Sequence, residues 1–236
     1  MTPEPVALSW SGGKDSSLAL VTLRADPRYD VVALLTSITR EYDRVSIHGV
    51  RRDLVEAQAT AVGLPLIEVS LEQQSSNETY EVAFLEALKR MRLTYPDVKL
   101  LAFGDLFLTD VREYRERLVA KGGFGALFPL WGRDTSELAD EFIASGFRAH
   151  LVCVDTAQLP AAFAGRAFDA ALLTELPQTV DRCGEHGEFH TFVSTGPIFT
   201  EPIRVQLGET VLREDRFVFC DLLVDRDASA VCSGAV

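Results

Sequence analysis

The stretch Val6-Ala7-Leu8-Ser9-Trp10-Ser11-Gly12-Gly13-Lys14-Asp15-Ser16 decides the fold. A short apolar run that ends in glycines reads as a buried parallel strand. The residues after it, with Leu18, Leu20, Val21 and Leu23, have the mixed pattern of a helix. Strand, glycine loop and helix form the opening unit of an open α/β sheet. Two adjacent glycines let the backbone approach a phosphate and point N–H groups at it. The following helix adds its positive N-terminal end. Lys14 contributes a full charge, and Ser11 and Ser16 contribute hydroxyl donors. Asp15 is out of place in a pure anion site; its natural use is to hold Mg²⁺ or to orient the loop. The spacing is neither G-x-x-x-x-G-K-[ST] nor the dinucleotide G-x-G-x-x-G.

The strand–helix alternation continues outward from this loop. Strands are expected over 29–38, 65–71, 99–104 and 151–154, with helices over 51–62, 75–95, 110–119 and 134–145. Gly63 and Pro65 end the second helix. Ser75-x-x-Glu78 and Asp134-x-x-Glu137 read as capping boxes. Such alternation implies βαβ units and a mostly parallel, doubly wound sheet. After about Thr156 Pro, Gly and Thr become frequent, and 188–193 and 216–224 read as antiparallel strands. The expected division is a nucleotide-binding domain over 1–130 and a smaller α+β substrate-binding region over 131–225. The small, polar tail 226–236 reads as flexible.

Composition limits the function. The 236 residues carry a net charge of −12, which disfavours non-specific binding to nucleic acid. There is no apolar run long enough to cross a membrane. The N-terminus lacks the basic and apolar regions of a signal peptide, so a cytoplasmic protein is expected. Only four of the 23 basic residues are lysines, a bias that fits a GC-rich, often bacterial, genome. The four cysteines show no C-x-x-C spacing, which disfavours a zinc site or redox pair.

A second dense segment is Asp181-Arg182-Cys183-Gly184-Glu185-His186-Gly187-Glu188-Phe189-His190-Thr191-Phe192-Val193. Two carboxylates and two histidines fall within six residues around a glycine turn. As a strand it would place Glu188 and His190 on one face and Phe189 on the other. Such a group can bind Mg²⁺, hold a polar substrate or move protons.

Residues 11–16 resemble the S-G-G-x-D-S motif of the N-type ATP pyrophosphatases. That resemblance implies a Rossmann-like, adenine-nucleotide α-hydrolase fold with ATP across the carboxyl ends of the strands. It also implies attack on the α-phosphate with pyrophosphate leaving. The segment 181–193 is similar to the G-E-N-G-E-[FY]-H-T-F-V signature of the diphthine–ammonia ligase family, with His186 in place of the asparagine. Further matches are His48-Gly49, Gln58-Ala59, Gly104-Asp105, Tyr114-Arg115-Glu116, Pro129-Leu130-Trp131 and Gly196-Pro197, so the resemblance runs from Leu8 to Pro202.

The resemblance implies an ATP-dependent ligase that adenylates the carboxylate of diphthine on elongation factor 2, after which ammonia displaces AMP. It assigns the phosphates to Ser11, Gly12, Gly13, Lys14, Asp15 and Ser16, with Gly104 and Asp105 beside the nucleotide and Mg²⁺ on Asp15. The acceptor side would comprise His48, Arg115, Glu185, His186, Glu188, His190 and Thr191. Lys14, Asp15, Glu185, Glu188 and His190 are the catalytic candidates, without a division into acid, base or metal ligand. Residues 104–116 depart from the archaeal and eukaryotic pattern. The 236 residues hold no counterpart of the additional C-terminal domains of the fungal form. Bacteria carry similar proteins but do not make diphthamide, so a bacterial member would use another small-molecule acceptor, with ammonia or another amine or sulfur donor. Two further readings are tRNA sulfur insertion, with Cys183 as the thiol, and a non-enzymatic ATP-binding protein.

Overall fold

The computed structural model describes residues 2–73 and 75–225; the tail expected to be flexible, 226–236, lies outside the described residues. The first half runs β1 (Glu4–Ser9), α1 (Lys14–Ala25), β2 (Tyr29–Thr39), β3 (Arg44–Val45), α2 (Arg52–Val62), β4 (Leu66–Leu71), α3 (Asn77–Thr94), β5 (Leu100–Ala102), α4 (Thr109–Lys121) and β6 (Gly125–Leu127). The second half runs α5 (Thr135–Ala144), β7 (Arg148–Asp155), α6 (Ala170–Glu175), β8 (Phe189–Thr195), β9 (Val205–Arg213) and β10 (Phe217–Val224).

In the first sheet β1 pairs in parallel with both β2 and β5; β4 extends the β2 side and β6 the β5 side. Only β3 is antiparallel, on the end of β2. The chain winds outward from β1 in one direction and then, from β5, in the other. This is the doubly wound order, and it opens a crevice between the carboxyl ends of β1 and β5. The side-chain alternation of β1 shows the two faces. Val6 and Leu8 pack with α1 and α2, while Ala7 packs with α3 and α4.

Local chemistry sets the helix ends. Gly63 takes φ 75° and closes α2. Asp134 caps α5 through the amides of Ser136 and Glu137. The cap of α3 falls one residue later than Ser75-x-x-Glu78 suggests. Ser76 accepts from the Thr79 amide, because the Ser75 hydroxyl is committed to the Glu72 carbonyl at 2.6 Å.

The second sheet is antiparallel, ordered β8-β7-β10-β9. Residues 151–154, expected as a fifth strand of the parallel sheet, belong here as part of β7. Its apolar run is buried because β7 is a central strand of the second sheet. The fifth parallel position is filled by β6, only Gly-Ala-Leu, too short to carry a period. One core cluster continues from Leu8 and Leu20 through Phe142 and Leu151 to Phe192, so the two sheets share an interior. Among the described residues no helix is long and apolar enough to cross a membrane.

A candidate active site where the two sheets meet

The loop 11–16 lies at the carboxyl end of β1, beside the crevice. Gly12 has φ 77°, which a side chain adopts only with strain, and a Cβ there would sit 2.6 Å from Gln58 Oε1. Gln58 is fully buried on α2 and organises the loop. Its Nε2 donates to the carbonyls of Gly12 (3.0 Å) and Val193 (2.6 Å), and its Oε1 accepts from Trp10 Nε1 (3.0 Å). The Ser11 hydroxyl accepts from the Gly13 amide at 3.2 Å. The Ser16 and Ser17 hydroxyls both donate to the Gly13 carbonyl. Gly104, just after β5, presses on the first turn of α1: a Cβ there would stand 2.9 Å from Asp15 C and 3.1 Å from Ser16 N.

The signature strand β8 docks directly on this loop. The Val193 amide donates to the Gly12 carbonyl at 2.9 Å. Thr191 Oγ1 accepts from the Lys14 amide at 3.0 Å, satisfying one open donor at the start of α1. Thr191 is thereby placed at the loop itself. The two sequence signatures, about 170 residues apart, form one wall.

Lys14 and Asp15 form a close ion pair, Nζ lying 2.8 Å from both carboxylate oxygens. Lys14 is buried, and Asp15 is the more open of the two. Burial alone would weaken the ammonium's hold on its proton, but Asp15, with Cys183 and Glu185, more than reverses this and keeps Lys14 charged. The Lys14 Nζ also lies 5.7 Å from the centre of the Phe189 ring and 6.0 Å from that of Phe168. Asp105 sits 3.6 Å from Arg115 Nε, and the Arg115 guanidinium covers the Phe103 ring.

Residues 181–188 form a turn, with Gly184 and Gly187 at positive φ. Glu185 reaches across the crevice and accepts from the Leu106 amide at 2.7 Å. Burial pushes its carboxyl up to about 7; the Leu106 amide opposes this and the nearby Asp15 adds to it. His186 is exposed, with its ring edge-on to Phe107 at 5.3 Å. His190 and His48 lie with ring centres 4.4 Å apart and planes tilted by 36°. Burial lowers both, His190 to about 4, with the charge of Lys14 acting in the same direction. Both imidazoles are therefore neutral at neutral pH.

Glu188 lies elsewhere. It is only 1% exposed, and its Oε1 accepts from the Asp181 amide at 2.9 Å. Its other oxygen has no hydrogen-bond partner. Asp181 in turn holds the amides of Cys183 and Glu185 and the Thr135 hydroxyl. Glu188 and Asp181 thus brace the turn from inside. Cys183 is buried, and burial pushes its thiol up to about 12, the opposite of an activated nucleophile. Among the described residues no group of three or more His, Cys, Asp or Glu is arranged to hold a metal ion. A cavity of about 500 Å³ flanks the second sheet, and another of about 570 Å³ lies between the start of α5, the end of α6 and the turn at Asp181 and His186; neither is lined by residues 11–16.

Gln58 and Asp181 were not singled out from the sequence as site residues. Gln58 left a signal, a polar residue on the apolar stripe of its helix. Asp181 left none, since its role depends on a turn whose geometry the spacing does not reveal.

The chain matches two family models over these same elements: the diphthamide synthase N-terminal domain over residues 4–125 and the diphthamide synthase C-terminal domain over residues 134–223. It is 29% identical over 225 residues to a diphthine–ammonia ligase of Danio rerio, covering 87% of this chain and 88% of that protein. It is 28% identical over 228 residues to the protein of the same name from Homo sapiens, covering 88% of this chain and 85% of the relative. The match to the diphthine–ammonia ligase of Schizosaccharomyces pombe is 27% over 218 residues, covering 85% of this chain but only 36% of that longer protein. The chain belongs to the diphthamide synthase family.

Proposed function

We propose that this protein is a cytoplasmic, ATP-dependent amide ligase of the diphthine–ammonia ligase type, which releases AMP and pyrophosphate. The observation that carries the reading is the docking of β8 on the glycine loop, through Thr191 Oγ1 on the Lys14 amide and Val193 on Gly12. It supports the reading because it brings the glycine loop and the 181–193 segment to one crevice.

In this reading Ser11, Gly12, Gly13 and Ser16 cradle the phosphates with the first turn of α1. Gly104 lets the two crevice walls approach, and Asp105 and Arg115 flank the nucleotide. Lys14 and Asp15 neutralise each other in a buried pair, so phosphates would draw on Lys14 while Asp15, with Asp105 near it, suits Mg²⁺. Two carboxylates with phosphate oxygens make an ordinary Mg²⁺ donor set. The metal would neutralise charge on the leaving pyrophosphate.

The acceptor side comprises His48, Glu185, His186 and His190, with Glu188 holding the turn that carries Glu185 and His186. A carboxylate oxygen of the acceptor, diphthine on elongation factor 2, attacks the α-phosphorus and pyrophosphate leaves. Ammonia then attacks the acyl carbon and AMP leaves, giving the amide. The neutral imidazoles of His48 and His190 can accept hydrogen bonds from ammonia and hold it for attack. Glu185, near half-protonated at neutral pH, suits a cationic group of the acceptor or ammonium itself. Chromatography of the products formed from ATP, ammonium and the diphthine-bearing factor tests this. AMP and pyrophosphate in step with amide are expected; ADP and phosphate would overturn the reading.

A further inference from the structure

The histidine at position 48 sits on a loop whose shape is imposed from the far end of the chain. Ser46–Val50 follows the short strand β3, and two of its residues hold unusual backbones. Gly49 has φ 70°, and a Cβ there would stand 2.6 Å from the Phe219 ring on β10. Ile47 has φ 69°, a strained conformation for a β-branched residue, and its side chain is 74% exposed. Packing of Ile47 cannot stabilise this conformation, so its neighbours must impose it.

Asp221 on β10 supplies the constraint. Its Oδ1 accepts from Arg44 Nη1 at 2.8 Å and from Arg51 Nε at 3.0 Å; its Oδ2 accepts from Arg51 Nη2 at 2.6 Å. Arg44 and Arg51 are the two ends of the loop. Arg44 Nη1 also donates to the Gly49 carbonyl at 2.7 Å, linking the carboxylate to the apex. One side chain therefore clasps both feet of the loop and, through Arg44, its summit. The Asp221 side chain is 16% exposed, so its end of the forked Arg51 contact is shielded from solvent, while Arg51 is half-buried. Within the crevice the His48 ring faces His190 from β8 and the charge of Lys14 from α1.

We propose that Asp221 is a positioning residue: by clasping Arg44 and Arg51 it holds His48 against His190 on the acceptor side of the crevice. The inference that this matters for the amidation step rests on the function proposed above; the clasp itself does not. Asp221 touches neither histidine, and it acts on His48 only through the loop. Losing the clasp would let the loop relax from the Ile47 strain and carry His48 away from its partner.

The experiment compares the wild type with Asp221→Asn, which keeps the shape and loses the charge, and with Arg51→Gln, which releases one foot of the loop. Imidazole resonances of the four histidines are followed by NMR from pH 4 to 8, with no substrate present. In both variants His48 and His190 are expected to titrate closer to an ordinary histidine, while His150 and His186 are unchanged. Histidine titrations identical to wild type in both folded variants would overturn the clasp. Steady-state kinetics on the same proteins then test the acceptor assignment separately. KM for ammonium is expected to rise about tenfold in the variants with KM for ATP within about twofold of wild type. A moved histidine pair with unchanged ammonium kinetics would leave the clasp standing and remove the pair from the acceptor side.

Discussion

The loop 11–16 and the segment 181–191 meet in one crevice but are built on opposite plans. In the first the backbone is the working part. Gly12, Gly13 and the start of α1 shape the loop, and the side chains around them, Gln58 above all, fix that backbone. In the second the side chains are the working part, and the backbone's task is to divide them. Glu185, His186 and His190 reach the crevice or its rim, whereas Glu188 and Asp181 turn inward and hold the turn. A backbone site tolerates little added bulk, because a new Cβ strikes main-chain atoms. A side-chain site tolerates loss at one position while its neighbour remains.

That contrast can be broken most severely at Asp15. Asp15→Ala leaves the buried Lys14 ammonium without its partner and removes the carboxylate proposed above for Mg²⁺. Turnover to AMP is expected to fall by about a thousandfold or more, in the range typical of lost electrostatic partners; AMP release over time measures it. His190→Ala is expected to act on the other side alone. The second-order rate constant for the acceptor should drop roughly tenfold to a hundredfold, equivalent to ~1–3 kcal/mol, while ATP affinity holds.

Gln58→Leu tests the support of the loop rather than its chemistry. Trp10 Nε1 and the Val193 carbonyl would lose buried partners, each costing ~1–3 kcal/mol. The midpoint of thermal unfolding should then fall by roughly 5–10 °C for a protein of this size. Glu185→Gln gives the smallest expected change, and its sign depends on pH. The folded-state carboxyl is raised to about 7, so its contribution to stability is full below the ordinary carboxylate range and is lost as pH rises through 7. Glutamine keeps an acceptor for the Leu106 amide without the charge. The variant should equal wild type near pH 5 and exceed it at pH 8 by about 1 kcal/mol, after allowance for partial exposure. Urea unfolding at the two pH values measures the difference.

The same contrast explains what could be read in the sequence. The glycine loop and its parallel sheet were legible because a tight strand-to-helix turn needs glycine at fixed positions. Gly63, Asp134 and the apolar runs of β1 and β2 are equally local signals. The inward turn of Glu188 was not legible, because β8 starts at Phe189 and the preceding residues follow a glycine turn rather than a strand period. The sheet change at β7 was hidden for a related reason: a strand central to an antiparallel sheet and one central to a parallel sheet bury the same apolar run. The edge strand β9, with no fully buried position, left no alternating period. Contacts between distant segments, such as Thr191 on the Lys14 amide or Asp221 on Arg51, left no mark in local spacing.

The most direct test of a crevice divided between nucleotide and acceptor is a calorimetric titration with ATP and Mg²⁺ of the wild type, Gly104→Ala and His190→Ala. The added Cβ at position 104 would meet main-chain atoms of Asp15 and Ser16, which cannot move aside without disturbing the first turn of α1. Gly104→Ala is expected to lose about a hundredfold or more in ATP affinity, or ~3 kcal/mol, while His190→Ala binds ATP like the wild type. Equal loss in both variants would contradict it and assign the whole crevice, signature strand included, to the nucleotide.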